Sequence, residues 1–492
     1  MPTDPDAHAP RREFDAGLLS PVSAGSDAVL ADAEVLGALV ATEVALVRAW
    51  AEIGVAPRAQ AAELSSALGW SGTGDVCAGF DAWLPQLAAE AAGGGNPVIP
   101  LVPKLRDRTA PELRHWVHRG ATSQDVLDSA LMLIAHRAGR ETLQRLRQTE
   151  TALARLASTE QDRVAVARTL TQHAVPTTFG LRVAAWLRGV RRASDRLSGA
   201  LSELPVQIAG AGGTMAGYVA VARAELGSDE RAVRAAGKLP AAFAAELGLA
   251  VPDGPWHTVR WPITELGDAL VQCVDALGVL AADVATLSRT EIGEVAESRG
   301  GGSSAMPQKR NPAHSVLIRS AAIRAPHLGA TLHAAAALAV DERPDGAWHA
   351  EWQTLRELLR VTLGASAHAA ELAGGLAVDT DAIARNLGMT NGLIVAERLS
   401  IVLGAIIGAE RVRDIVSRVR DGAGLADALH AEPGLVDALA ARGGPTIAQL
   451  ADPAQYTGLA HGLVDHALAP GAAQEGGARP AADAPAPTEE PG

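Results

Sequence analysis

A chain of 492 residues with 48% hydrophobic content can bury a large core and has room for more than one structural region. Its net charge of −13, with no basic stripe interleaved with aromatics, argues against a nucleic-acid partner. A few local cations can still dominate a site for an anionic substrate. Cys77 and Cys273 are too few for a disulfide framework or a cysteine zinc site, the histidines lack zinc-cluster spacing, and no nucleotide-binding loop is evident, so neither metal nor cofactor is expected. No apolar stretch follows the N-terminal charges, and no uninterrupted apolar span is long enough to cross a bilayer. A soluble, cytoplasmic protein without a membrane partner is expected.

Residues 1–15 are polar and proline-punctuated and read as a disordered tail. A helical N-terminal region over 16–110 follows, with apolar residues at helical spacing between Val29 and Glu52 (Leu36, Leu39, Val40, Val44, Leu46, Val47) and a short helix at Ala61–Leu68. Gly93–Pro103 breaks the pattern and is expected as a loop. Residues 111–376 read as a central bundle: a helix pair over 111–160 interrupted at Gly120, a helix over 178–204, and a glycine break at Gly210–Gly217. Long helices then run over Pro262–Val295, His314–Val340 with a kink at Pro326, and His349–Leu376. A small helical region over 377–466 and a disordered tail over 467–492 complete the chain. Period-two patterns are scarce, so the fold class is all-α.

Three stretches carry the polar chemistry. Gly300–Pro312 reads GGGSSAMPQKRNP, a glycine loop bearing two serines, Lys309, Arg310 and Asn311. Lys104, Lys238 and Lys309 are the only lysines, so a compact point charge is kept in this loop by a chain that otherwise uses arginine. A linker with incidental charge is the plainer reading, but the loop lies between long helices. His118–Ser129 reads HRGATSQDVLDS. A turn at Gly120 leads into Thr122 and Ser123 at a helix start, which is either an ordinary N-cap or an anion site. His118 reads equally as ligand-facing or as structural. The third stretch, Ala167–Gly180, reads ARTLTQHAVPTTFG.

Together these stretches resemble the fumarase/aspartase superfamily. GSSAMPQKRNP is similar to its signature loop GSSxMPxKxNP, HRGATSQDVLD to its HxGxTSxDxxDT region, and the third stretch to the RTHxQxAxPTTFG of its lyases. The resemblance covers most of residues 15–465. It implies a long-helix bundle with smaller helical N- and C-terminal regions, and a homotetramer whose active sites are each assembled from three chains. It implies that Thr122, Ser123 and Gln124 bind a substrate carboxylate, with Thr169, Gln172 and Asn311 as further substrate contacts. Ser303 is the candidate base, activated by Lys309, the N–H groups of the glycine loop and exclusion of water; Ser304 is a neighbour and not the base. GLLSP at Gly17–Pro21, GNPVIPLV at Gly95–Val102 and ERPDGAWHAEW at Glu342–Trp352 resemble the 3-carboxy-cis,cis-muconate cycloisomerase-like branch. That likeness makes Asn96 a substrate contact and Arg343 a second cation, with Glu351 and Trp352 placing a helix start.

Leu170 departs from the lyase pattern, because it stands where those lyases carry a general-acid histidine. Leucine transfers no proton, which argues against substrates whose leaving group is a strongly basic amine or hydroxide. His173, three residues on, shares a face with Leu170 if the stretch is helical; a polar brace is its commoner role. Two chemistries on a small di- or tricarboxylate survive. One is β-elimination of a stable anion from a 2-substituted succinate, nitrosuccinate giving fumarate and nitrite. The other is lactonisation of 3-carboxy-cis,cis-muconate. The short SRG linker between Glu297 and Gly301, and Gln308 at a position often histidine in cycloisomerases, favour elimination. A non-enzymatic scaffold would have no use for the Ser303–Lys309–Asn311 set.

Overall fold

The long apolar stripes fold as helices that bury them. The computed structural model describes residues 17–298, 301–302 and 306–469. In chain order the first helices are α1 (Asp32–Glu52), α2 (Arg58–Ala67), α3 (Leu84–Gly94) and α4 (Val98–Arg108). Next come α5 (Ser123–Thr159), the strands β1 (Val164–Thr169) and β2 (Gln172–Thr178), then α6 (Phe179–Ser202), α7 (Ala216–Leu226), α8 (Asp229–Leu247) and α9 (Trp261–Leu287). Short strands β3 (Val295–Glu297), β4 (Gly301–Gly302) and β5 (Arg310–Asn311) precede α10 (Ala313–Ala337) and α11 (Gly346–Gly374). Strand β6 (Leu376–Val378) leads into α12 (Thr380–Gly388), α13 (Ala396–Ile407), α14 (Ala409–Arg420), α15 (Leu425–His430), α16 (Leu435–Ala441), α17 (Ile447–Ala451) and α18 (Ala460–Leu468). The all-α class holds, with three two-stranded antiparallel ribbons, β1–β2, β3–β6 and β4–β5, as the only sheets among the described residues.

The chain divides into two compact units, each of three segments. Within the described residues the first takes 17–149, 196–285 and 301–375, and the second takes 150–195, 286–298 and 376–469. In the first unit the α1 stripe Leu36, Leu39, Val40, Val44, Leu46 and Val47 is buried, and so are Leu266, Leu270, Val274, Leu277, Leu280 and Val284 of α9. Helices α10 and α11 pack along each other. Gly364 of α11 is obligatory, since a Cβ there would lie 2.1 Å from the Val22 carbonyl oxygen, where the segment after GLLSP crosses the helix. By length and composition α9 is also long and apolar enough to span a membrane, and half of its apolar window is buried inside the chain, as in a core helix. In the second unit a separate core gathers Ile394, Leu399, Leu403, Ile415, Val419 and Leu429, with Val166 of β1 against them.

Several expected boundaries move. Gly93–Pro103 is not a loop: α3 ends at Gly94, Gly95 turns the chain at φ +73°, and α4 begins at once. Asn96 makes this possible by accepting the Val98 and Ile99 backbone N–H groups at 3.0 and 3.3 Å. The helix pair over 111–160 is one helix of 37 residues. Helices α7 and α8 occupy a region given no element from sequence; Ser228 caps α8 by accepting from the Arg231 N–H at 3.4 Å, and Gly248 ends it at φ +65°. At the C-terminus α18 runs to Leu468, and residues from 470 on, like 1–16, lie outside the described residues.

Candidate active site

The N-terminus of α5 is built from side chains that are nearly all committed. Asp125 is buried and accepts from the Thr122, Ala209 and Gly210 backbone N–H groups at 3.1, 2.9 and 3.0 Å and from the Tyr218 hydroxyl at 2.7 Å. It thereby ties the helix start to the glycine break before α7. Burial, reinforced by the adjacent Asp125 charge, pushes the Tyr218 hydroxyl well above its ordinary value, so it stays a donor. Gly120 faces Tyr218 at φ +89°, and a Cβ there would come within 2.9 Å of the ring. One turn on, Asp128 is fully buried and binds Arg260 at 2.7 and 3.2 Å and the Trp348 indole N–H at 2.8 Å. Arg260 also binds Glu351 at 2.7 Å, so a buried acid–arginine–acid triad joins α5, the approach to α9, and α11. Burial raises the Glu351 carboxyl, with Arg260 opposing. Glu351 does place the α11 start, through Arg260.

Thr122 and Arg343 are brought together. The Arg343 guanidinium donates to the Thr122 hydroxyl and, at 3.4 Å, to the Ala211 carbonyl. Ser123 is half-buried at the first position of α5. Asn96 approaches through its neighbour: the two His349 ring nitrogens lie 2.9 Å from the Asp345 carbonyl and 2.8 Å from the Gly95 carbonyl. The α11 start, three residues beyond Arg343, is thus tied to the residue before Asn96. The Asn96 carboxamide oxygen is used as the α4 cap, and its NH₂ has no hydrogen bond among the described residues.

Gln124 is a correction. It is fully buried, and its amide NH₂ donates to Asp128 at 3.1 Å and to the His257 carbonyl at 3.0 Å. No side-chain N–H remains for a substrate carboxylate, so the Gln124 side chain braces the helix start. His118 pairs with Glu43 of α1 at 2.7 Å through Nδ1. Burial works to lower its pKa, but the Glu43 charge and hydrogen bond, helped by Asp125, outweigh it, and the value is raised. Glu43, Arg260, Tyr218 and His257 were not singled out from sequence. A carboxylate inside the apolar run of α1 is the signal that marks Glu43.

The signature stretch forms a ribbon in which Gly301 pairs with Asn311 and Gly302 with Arg310. Lys309 is exposed, and its N–H donates to the Met306 carbonyl at 3.0 Å. Ser303 and Ser304 lie outside the described residues.

In the second unit the third stretch is a hairpin, not a helix. Thr169 pairs with Gln172 across a two-residue turn, Leu170 and Thr171, at φ +49° and +73°. Positive φ at both positions is what a tight primed turn demands. Leu170 is 95% exposed, and Thr169 and Gln172 are exposed beside it. His173 therefore faces Arg168 across the ladder and does not share a face with Leu170. Burial and the Arg168 charge lower its pKa. Arg168 in turn binds the fully buried Glu294 at 2.6 Å, which also accepts from Asn386 at 2.8 Å.

The chain is similar to known proteins over most of its length. A family described as lyase matches residues 95–326. Nitrosuccinate lyase of Streptomyces davaonensis is 43% identical over 467 residues, covering 92% of this chain and 94% of that protein. The 3-carboxy-cis,cis-muconate cycloisomerase of Pseudomonas aeruginosa is 39% identical over 452 residues, covering 90% and 93%. Among solved structures, the 3-carboxy-cis,cis-muconate lactonizing enzyme of Pseudomonas putida superposes with a TM-score of 0.78 at 33% identity, covering 89% of this chain and 95% of that one.

Proposed function

The chain belongs to the fumarase/aspartase superfamily, and from that premise we propose that this lyase removes a proton and a stable anion from a 2-substituted succinate, converting nitrosuccinate to fumarate and nitrite. The observation that carries the reading is Leu170, an apolar residue at the hairpin tip in the position of the lyases' acid. A leaving group that needs no proton fits a site that offers none there.

Ser303, as alkoxide, takes the C3 proton, which lies α to one carboxylate and β to the nitro group. The C–H electron pair first moves onto the adjacent carboxylate and then returns to form the C2–C3 double bond. The C2–N bond breaks, and nitrite departs with its electrons. The intermediate is an aci-carboxylate with a second negative charge. Lys309 and Asn311 stabilise it, while Thr122, Ser123, Arg343 and the Asn96 NH₂ hold the carboxylates; Thr169 and Gln172 supply further polar contacts. Each preorganised donor of this kind is worth about 3–4 kcal/mol in a transition state.

The chain works as a cytoplasmic homotetramer in this reading. Support comes from the outer face of α10, where Val316 and Ile323 are exposed at 54% and 71% on a helix whose opposite face, with Ile318, Ala321, Ala325 and Leu332, is buried. Purified protein given nitrosuccinate should release fumarate and nitrite in equal amounts, and Ser303→Ala should abolish the release. Loss of muconate absorbance from 3-carboxy-cis,cis-muconate, with no nitrite from nitrosuccinate, would replace the elimination with lactonisation.

A further inference from the structure

The elimination gives Glu43 no task, yet its placement is costly. Helix α1 is buried from Leu36 to Val47, and the Glu43 side chain within it is 1% exposed. A carboxylate in such surroundings is tolerated only when it is paired and hydrogen-bonded. Both of its oxygens serve one residue: Oε2 accepts the His118 backbone N–H at 2.9 Å, and Oε1 lies 2.7 Å from His118 Nδ1. His118 itself sits at φ +63°, a left-handed conformation that non-glycine residues rarely adopt and that a surrounding clamp must sustain. The ring is not sealed in. Its side chain is 19% exposed, and Nε2 has no hydrogen bond among the described residues. Four residues on is Thr122, which carries the Arg343 contact.

We propose that Glu43 is a positioning residue that clamps His118 through Nδ1 and holds the ring as an imidazolium, presenting Nε2–H as a charged donor to an anionic group of the substrate bound at Thr122 and Arg343. The substrate in this statement rests on the elimination reading; the clamp does not. Charged groups act on the ring from two further elements, Arg106 from α4 and Asp125 from α5, and the Asp125 carboxylate also accepts from Tyr218 of α7. Burial disfavours the charged ring and Arg106 opposes it, while Glu43 and Asp125 favour it and prevail. The imidazolium therefore persists above the ordinary histidine value of about 6.5 and is lost as pH rises through the raised value. Without the Glu43 charge, burial gains the upper hand and the loss moves to lower pH.

Diethyl pyrocarbonate reacts with neutral imidazole, and mass spectrometry of the His118 peptide reads its rate without any substrate. In the unaltered protein the midpoint of that rate should lie above pH ~6.5, and Glu43→Gln should lower it by about one unit or more. The alkaline limb of kcat/KM should move with it, and bound fumarate should slow the modification several-fold. A wild-type midpoint at or below ~6.5 overturns the clamp. A Glu43→Gln enzyme slowed equally at every pH, with its limb unmoved, also overturns it, because that is what a purely structural carboxylate would give. No protection by fumarate overturns the substrate-facing role. Should neither candidate substrate react, the modification profile still decides the clamp. Should Glu43→Gln fail to fold, the wild-type midpoint and fumarate protection remain decisive.

Discussion

Two motif-bearing stretches meet opposite fates. At the start of α5 the polar side chains are bound in place: Asp125 accepts from the glycine break and Tyr218, Asp128 is held by Arg260 and Trp348, and Gln124 has given its N–H groups to Asp128 and His257. At the tip of the β1–β2 hairpin, Leu170 stands 95% exposed and Thr171 follows it at φ +73°. The first is a framework that fixes the start of α5. The second is a turn built from a leucine and a β-branched residue where asparagine and glycine would sit without strain. A motif read as one functional unit thus contains residues that set geometry and residues that are merely presented, and burial separates them.

The contrast can be broken at three points. The largest effect is expected from Arg260→Ala, which leaves Asp128 and Glu351 buried without their shared cation; urea unfolding should show a loss of about 3–5 kcal/mol. A loss below about 1 kcal/mol would mean that the α5 start is not held by the triad. Next, Arg343→Gln removes a half-buried cation at the edge of that framework. It should lower kcat/KM on nitrosuccinate by about 100-fold while the melting temperature stays within a few degrees, as for loss of one preorganised donor. Equal loss of fold and rate would make Arg343 part of the framework instead. Smallest, replacing Leu170–Thr171 by Asn–Gly should stabilise the second unit by about 1–2 kcal/mol, read from thermal unfolding, because both positions then suit positive φ. No gain would show that the tip is not strained.

What the sequence revealed divides along the same physical line. The stripes of α1 and α9 were legible because a broad apolar face has one period and one explanation, burial. The hairpin was not, because β1 and β2 hold six and seven residues and a two-residue turn without glycine gives no turn signal. Helix α4 was hidden by Pro97, Pro100 and Pro103, which read as breakers until the Asn96 cap is seen. Thr122 and Arg343 stood out through resemblance. Glu43 and Arg260 did not, because the partners that give them meaning lie 75 and 132 residues away.

The scarcity of lysine gives the molecule a built-in reporter. Lys104 lies within α4, 3.8 Å from Glu90, and Lys238 lies within α8, where helical backbone resists a protease. Lys309 alone is exposed outside any helix, between Met306 and the β5 ribbon. A lysine-specific endopeptidase acting on the folded chain therefore has one open target, the Lys309–Arg310 bond. The yield of two fragments meeting there is a direct count of molecules in which Lys309 is accessible, and a ligand that covers it would write itself into the gel as intact chain.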